Sequence, residues 1–385
     1  MKNMHLNRLA TACVALASLL GAQASVAQDD IKYRISGFGT LGGVITDEGD
    51  TGFRTSVAQR EGAGNSLDLG VDSRIALQGS VTYKDSLTVT AQILGLRRED
   101  DNFKVGFEWA YLQYTGIPGL DLKAGRVVLP AFLVSDSRLV GYATPWLRVS
   151  PLVYAMMPLS NVDGGQISYR HSVGPAVVSG QVTHGRAKTT SYGTQQTGPT
   201  SYAESITGGK TRDIWGLNLG LEWGDWQFRV SQVKGDADLS TSVTLPIFGT
   251  VVTPLPIKDK FTEVGVQYDN GQWMVAAEYV KRKTDPAVQN AKAWYLGGGY
   301  RFGSVMPYVM FSEFEITRST VQTPLPPKAK GTALGVRWDF ASNLALKAEL
   351  ARYRNNSSYI FTDTVSPSVA DKNINVMSIA LDFVF

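Results

Sequence analysis

The sequence predicts an all-β protein, a transmembrane antiparallel β-barrel of sixteen strands with an inward-folded constriction loop. The chain is rich in glycine and aromatic residues, yet no run of about 18 apolar residues follows position 27, so no membrane-spanning helix is available. Its short predicted strands alternate apolar and polar residues. Short and long connections follow one another without a break along the chain, as in barrels that cross a membrane.

The first 27 residues predict a cleaved export signal, followed by one barrel domain over 28–385. A basic start precedes the apolar segment 10–20, and a small-x-small pattern ends at Ala27. This order is typical of a secretory signal peptide. The apolar segment is too short to span about 30 Å of hydrocarbon. We expect cleavage after Ala27, with Ala24 as the alternative.

Charge and composition exclude several kinds of partner. The chain has 37 Lys and Arg against 34 Asp and Glu, and the predicted signal removes two of the basic residues and the single cysteine. The nearly balanced charge argues against nucleic acid as a partner. No Cys or His cluster suggests a transition-metal site, and no cofactor is expected.

Catalysis finds little support in the three histidines. His171 and Ser172 are adjacent, so their side chains point to opposite faces of a strand and cannot form a nucleophile–base pair. His184 with Asp213 on a neighbouring strand is the remaining conceivable pair. The sequence therefore predicts that the protein is not an enzyme.

Sixteen strands are predicted from the alternation, and they lie at 31–46, 67–83, 86–98, 106–115, 119–126, 164–172, 175–186, 211–223, 225–234, 259–269, 272–283, 291–302, 304–316, 329–340, 343–355 and 373–385. The short connections contain turn-forming residues such as Lys84-Asp85 and Asn270-Gly271. The long connections are 47–66, 99–105, 127–163, 187–210, 235–258, 284–290, 317–328 and 356–372.

Aromatic residues favour a membrane barrel over a soluble β-sandwich, whose core strands would alternate in the same way. Seven of them lie beside short connections and would form one ring at one level of a barrel: Tyr83, Trp223, Trp226, Trp273, Phe302, Phe340 and Phe385. Such rings place an apolar body in lipid and a polar edge at the headgroups. Core aromatic residues in a soluble protein are the alternative.

The longest connection, 127–163, predicts a segment that folds into the barrel lumen. It carries several large apolar side chains, namely Phe132, Tyr142, Trp146, Tyr154, Met156 and Met157. A loop of this length and composition is hard to reconcile with full exposure to water. A lid in a soluble protein is the alternative explanation.

The C-terminal sequence SIALDFVF, ending at Phe385, is similar to the end of Gram-negative outer-membrane proteins. Together with the strand count and the long connection after the fifth strand, it makes the mature chain resemble the general, non-specific porins. The resemblance implies an outer-membrane barrel, usually a homotrimer, in contact with membrane lipid and lipopolysaccharide. It also implies that 127–163 is the constriction loop.

General porins place basic residues on the inner wall opposite acidic residues of this loop. Three wall positions match by local motif: Arg74 in SRIALQG, Arg126 in AGR and Arg170 in ISYR. Arg74 shares its face with polar residues, whereas Arg126 shares the parity of Leu122 and Ala124. Exposed arginines at the barrel rim are the alternative for each.

The loop itself departs from the family pattern. It lacks the acidic Pro-Glu-Phe-Gly stretch, and Phe38 stands where the family often has a basic residue in the first strand. The loop charges expected at the constriction are Asp136, Arg138 and Arg148. A like-charged ring in a narrow pore sets ion preference, so we expect a preference for anions.

The predicted function is passive diffusion of small hydrophilic solutes and ions, because a sixteen-stranded barrel is wide enough to leave an aqueous channel. The alternative is a substrate-selective channel for a particular anion or sugar, in which the aromatic loop and the basic wall form a binding track. Saturable, solute-dependent block of the current would distinguish the second from the first.

Overall fold

The computed structural model of the protein describes residues 30–97, 103–196, 202–245, 249–319, 328–354, 360–362 and 372–385. The predicted signal peptide lies outside these residues. Among the helices in the described ranges, none is long and apolar enough to cross a membrane.

Sixteen strands of the described chain close into a single antiparallel barrel, which confirms the predicted fold class. The wall strands are β1 (Ile31–Thr46), β3 (Arg74–Tyr83), β4 (Leu87–Arg97), β5 (Phe103–Ile117), β6 (Leu120–Val128), β7 (Asn161–Val173), β8 (Ala176–Gln196), β9 (Tyr202–Trp223), β10 (Trp226–Leu245), β11 (Gly249–Asp269), β12 (Trp273–Asp285), β13 (Gln289–Tyr300), β14 (Val305–Ser319), β15 (Lys328–Ala341), β16 (Leu344–Arg354) and β18 (Asn373–Val384). Two short strands, β2 (Gly52–Phe53) and β17 (Phe361–Thr362), pair with each other outside the wall.

The barrel closes where β1 pairs with both β3 and β18. The last residue continues this seam, because Gly37 N donates to Phe385 O at 2.9 Å. Gly39 lies beneath the Phe383 ring, and a Cβ there would overlap it. The C-terminal aromatic residues are therefore packed onto a glycine surface of the first strand.

The short turns lie at one end of the barrel, and several need a left-handed backbone. Lys84 and Asp85 have φ of 48° and 56°, which suits a two-residue hairpin turn. Six of the seven aromatic residues predicted beside these turns are exposed on the wall, and Phe385 is half-buried. This arrangement is the aromatic ring expected of a membrane barrel.

Two predicted loops are wrong, because most of 187–210 and 235–258 continues the strands. The pairing of β8 with β9 reaches Gln196 and Tyr202, and that of β10 with β11 reaches Leu245 and Gly249. These segments are rich in polar β-branched residues, which suit a hairpin that both faces expose to water. Their polarity was mistaken for loop character.

Prolines in β11 mark where this hairpin leaves the wall. Pro254 and Pro256 pair with β10, whereas the pairing of β11 with β12 starts only at Lys258. Over this stretch β11 is an edge strand, where the missing N–H of proline costs no ladder bond. At the other extreme, the strand predicted from residue 67 begins at Arg74.

The connection from Val128 to Asn161 turns inward and packs inside the barrel. It contains a 3-10 turn, Gly141–Ala143, and a one-turn helix α1, Pro151–Tyr154. Phe132 stacks on Tyr154 with ring centroids 4.2 Å apart and meets the edge of Phe261 from the wall. We call residues 129–160 the constriction loop from here on.

Candidate channel constriction

Glu278 on β12 ties together the two ends of the constriction loop. Its Oε2 accepts the backbone N–H of Leu133 at 2.9 Å. Its Oε1 accepts the hydroxyl of Tyr154 at 2.5 Å and that of Tyr295 at 2.9 Å. Arg229 on β10 donates to the carbonyl of Leu133 at 2.8 Å. Buried polar groups of the wall are therefore used to fix the loop.

Lys347 on β16 holds the middle of the loop. Its Nζ donates to the carbonyl oxygens of Gly141, Thr144 and Trp146 at 2.7, 2.7 and 2.9 Å. The same Nζ lies 2.9 Å from Oδ2 of Asp382, and both side chains are fully buried. A buried ammonium is tolerated only with such partners. Lys347 is thus an anchor of the loop and not a free charge of the pore.

Arg148, which the sequence placed at the constriction, reaches the wall and is neutralised there. It donates to both oxygens of Asp72 at 3.2 and 2.7 Å and to Ser378 at 2.6 Å. Glu349 lies 3.6 Å away. Burial opposes the charge, but Asp72 and Glu349 hold the pKa of Arg148 above its usual range. The side chain is a structural link between loop and wall.

Arg74 and Arg138 line a cavity of about 240 Å³ on the long-loop side of the constriction loop. Within the part of the chain that the structure describes, neither forms an ion pair with a carboxylate within 4.0 Å. Arg74 points into the lumen at the start of β3, and its buried Nε has no hydrogen-bond partner. Asp72 and Asp382 act on it electrostatically.

Arg138 is held by uncharged groups. Its Nη1 donates to the carbonyl of Met157 at 3.3 Å, and its guanidinium lies 5.9 Å from the Phe132 ring centroid. Burial lowers the pKa of Arg138, against an attraction from Glu108. A guanidinium nevertheless stays protonated in a protein, so the charge remains.

Arg126 does not lie at the constriction, contrary to the sequence prediction. It pairs in register with Asp163 on β7, and its Nε donates to that carboxylate at 2.7 Å. Asp163 alternates with the exposed Ile167 and Tyr169, so this ion pair lies on the outward face of the wall. The parity that Arg126 shares with Leu122 was the correct indication.

Arg170 and Asp136 lie away from the two unpaired arginines. Arg170 faces inward close to a short turn and donates to Glu222 at 2.6 Å, with both side chains largely exposed. Asp136 is an exposed loop residue that lines a second cavity, of about 460 Å³, on the short-turn side of the loop. Of the six residues predicted for the constriction, the structure brings together Arg74, Arg138 and Arg148.

Sequence reasoning missed the wall residues that hold the loop, which are Asp72, Arg229, Glu278, Arg337, Lys347, Glu349 and Asp382. A signal for several of them was present. Glu278, Lys347 and Asp382 are charged residues at inward positions of strands whose outward positions are apolar. Their partners on the loop were not readable, because the alternation of a strand says nothing of which loop atoms meet it.

The histidines take no part in this arrangement. His184 pairs with Trp215 on β9, and the two rings stack with centroids 4.2 Å apart on the outward face. His171 stacks beside Tyr169 near a short turn. Over the described ranges, no group of three or more His, Cys, Asp or Glu side chains is placed to hold a metal ion.

The closed barrel with a loop folded into its lumen defines a channel of the bacterial outer membrane. A model of the Gram-negative porin family matches residues 10–358, and the chain belongs to this family. Family and fold point to a channel and not to an enzyme. No curated protein matches the chain in sequence.

Solved structures of outer-membrane proteins share the fold. OmpT of Vibrio cholerae is 14% identical, with a TM-score of 0.58 over 94% of this chain and all of its own. An anion-selective porin from Comamonas acidovorans is 14% identical, with a TM-score of 0.56 over 92% of this chain and all of its own. The channel DcaP of Acinetobacter baumannii is 10% identical, with a TM-score of 0.60 over 93% of this chain and 99% of its own.

Proposed function

We propose that each barrel passes small hydrophilic solutes by passive diffusion and prefers anions. The observation that carries this proposal is the pair Arg74 and Arg138, which lack an ion-pair partner among the described residues of the constriction. Fixed charge in a narrow, partly desolvated passage acts more strongly than charge in bulk water. Anions would therefore be concentrated at this level of the channel.

The other charges near the constriction largely cancel. Asp72 and Glu349 are engaged by Arg148, and Asp382 is engaged by Lys347. The cavity that contains Arg74 and Arg138 is lined by five basic side chains, Arg74, Arg97, Arg138, Arg148 and Lys188, and by two acidic ones, Asp72 and Glu108. Asp68, outside this lining, pairs with Arg97 at 2.8 Å. A positive excess remains after this pairing.

The cavity on the short-turn side supports the same location for selectivity. Its charged lining is balanced, with Asp136, Asp269 and Asp339 against Arg229, Arg301 and Arg337. Arg301 pairs with Asp269 at 2.6 Å and Arg337 with Asp339 at 2.8 Å. This cavity gives little reason for discrimination between ions, so the selective step would lie at Arg74 and Arg138.

The homotrimer expected from the family is part of the proposal. OmpT of Vibrio cholerae is described in a trimer form. On β5 of this chain, the outward side chains of Phe103, Val105 and Phe107 are 44%, 70% and 55% exposed, close to the long-loop end. An apolar surface at this level, where other strands carry charge, suits a contact between subunits. Light scattering of the detergent-solubilised protein tests the subunit number.

Reversal potentials in a planar bilayer under a KCl gradient test the selectivity. We expect an anion-selective wild type, and a shift toward zero or cation selectivity in Arg74→Gln and Arg138→Gln. Arg170→Gln is the matched control, because it removes the same charge near a short turn, where Glu222 already pairs with it. A cation-selective wild type would contradict the proposal. Saturable current block by one particular anion or sugar would favour the substrate-selective alternative.

A further inference from the structure

The outward face of β10, β11 and β12 carries a row of lysines at the long-loop end. Lys234 lies directly opposite Lys260, and Lys260 lies directly opposite Lys283. All three side chains are exposed. Two residues closer to the short turns, Lys281 lies opposite Lys292 on β13. We call Lys234, Lys260 and Lys283 the lysine row.

This row is unfavourable for the barrel alone. Side chains directly opposite each other on neighbouring strands have Cβ atoms about 4.5–5.5 Å apart, and like charges in this arrangement destabilise a sheet. No carboxylate of the described chain lies within 4.0 Å of these three ammonium groups. The nearest acids on the same face, Asp236 and Asp285, are opposite Lys258 instead. The repulsion within the row is therefore not offset by a carboxylate of the chain.

The row stands just beyond the apolar band of the wall. The last large apolar residues on the same face of these strands are Val230, Val264 and Tyr279, which are 47%, 51% and 44% exposed. Lys234 is four residues beyond Val230, roughly 13 Å along the strand and about 10 Å along the membrane normal once the strand tilt is included. This is the depth of the lipid headgroups.

The opposite wall differs at the same level. The outward positions of β5 near its long-loop end are the apolar Phe103 and Val105, and they include no lysine. The basic residues are thus confined to one arc of the barrel. An arc that is basic above an apolar band faces a charged lipid surface, whereas an apolar wall suits contact with protein.

We propose that the lysine row binds the phosphate groups of lipopolysaccharide, the glycolipid of the outer leaflet. A phosphate carries between one and two negative charges and accepts hydrogen bonds from several ammonium groups at once. One phosphate between Lys234, Lys260 and Lys283 would turn their mutual repulsion into attraction. Lys281 and Lys292, nearer the apolar band, would meet a second phosphate. The site is independent of the selectivity at Arg74 and Arg138, because it lies on the outer wall.

Binding of fluorescently labelled rough-type lipopolysaccharide to the full barrel, refolded in detergent free of this lipid, tests the site. We expect Lys260→Gln/Lys283→Gln to weaken binding roughly thirtyfold, which corresponds to about 1 kcal/mol for each lysine near an anionic lipid surface. Lys32→Gln/Lys84→Gln is the control, since both lysines lie at the short-turn end and the same number of charges is removed. The control should bind as the wild type does.

Two further probes identify the ligand. Dephosphorylated lipopolysaccharide should bind wild type as weakly as the intact lipid binds the double variant. Equal binding of the two lipids, or equal loss in both double variants, would overturn the proposal. So would full competition by inorganic phosphate at the concentration of the lipid, which would assign the row to free phosphate. A change in subunit number of Lys260→Gln/Lys283→Gln by light scattering would assign the row to a protein contact instead.

Discussion

Lys347 and Asp382 form a fully buried ion pair, with Nζ and Oδ2 2.9 Å apart, on neighbouring strands that close the barrel. The same Nζ binds three carbonyl oxygens of the constriction loop, and Thr40 on β1 donates to the other carboxylate oxygen at 2.6 Å. One cation therefore connects the barrel seam with the loop that narrows the lumen. This link makes the width of the passage depend on residues that never face the solute.

Replacement of Lys347 by Met should therefore loosen the loop. It leaves Asp382 buried without its cation and three loop carbonyls without their donor, and breaking a buried pair costs about 3–5 kcal/mol. We expect a lower urea midpoint of unfolding in detergent and a noisier, larger single-channel conductance. Lys84→Met, at an exposed turn, is the control and should leave both unchanged.

A double variant, Lys347→Met/Asp382→Leu, separates charge from packing. Removing both charges from a buried pair is far less costly than removing one. The urea midpoint should recover toward wild type, while the conductance stays noisy because the loop carbonyls remain without a donor. A quiet channel in this variant would show that Lys347 does not hold the loop.

A second prediction concerns the hydroxyl of Tyr154, which donates to Glu278 at 2.5 Å inside the loop anchor. Burial, and then the neighbouring Glu278, raise the pKa of Tyr154 well above its usual range, so the hydroxyl stays a donor at any physiological pH. Tyr154→Phe leaves a buried carboxylate with one donor fewer, at a cost of about 1–3 kcal/mol.

Urea unfolding of Tyr154→Phe in detergent measures this cost. Tyr279→Phe is the control, because Tyr279 follows Glu278 on the same strand but faces outward and is exposed. The control should change stability by a few tenths of a kcal/mol at most. Equal midpoints for the two variants would rule out a role of this hydroxyl in anchoring the loop.

The sequence predicted the fold better than the constriction, and the reason is physical. Alternation and turn residues are local, so they gave the barrel, the strand count and the inward face of Arg74. The neutralisation of Arg148 depends on Asp72 and Glu349, which lie far along the chain and meet it only in three dimensions. Arg126 was assigned by motif against its own parity, and the parity was correct.

A third prediction is a pH dependence in the external loops. Glu48 accepts a hydrogen bond from Lys372 at 2.9 Å, and this bond, more than the weak opposing burial, lowers the pKa of Glu48. A carboxylate whose pKa is lowered by folding stabilises the folded state above its unfolded pKa of about 4.3, and this contribution is lost as the pH falls through the lowered value.

Hydrogen exchange at neutral pH and at low pH measures this contact. We expect amides near Glu48 and Lys372 to lose protection on acidification below about pH 4, and the barrel strands to keep theirs. Glu48→Gln should show the low-pH behaviour already at neutral pH. Protection near Glu48 that rises on acidification would have the wrong sign for this contact.

The last prediction concerns Gly39, which lies under the Phe383 ring where β1 meets β18. A Cβ at this position would overlap the ring, so Gly39→Ala must displace the C-terminal strand or the aromatic side chain. Overpacking of this kind costs about 1–3 kcal/mol. Gly79 on the neighbouring strand β3 has open space where a Cβ would lie, so Gly79→Ala is the matched control. We expect Gly39→Ala to fold into lipid vesicles with a lower yield and to unfold at a lower urea concentration, while Gly79→Ala behaves as the wild type does. If both variants folded equally well, the close packing of the C-terminal aromatic residues on β1 would not be what limits closure of the barrel.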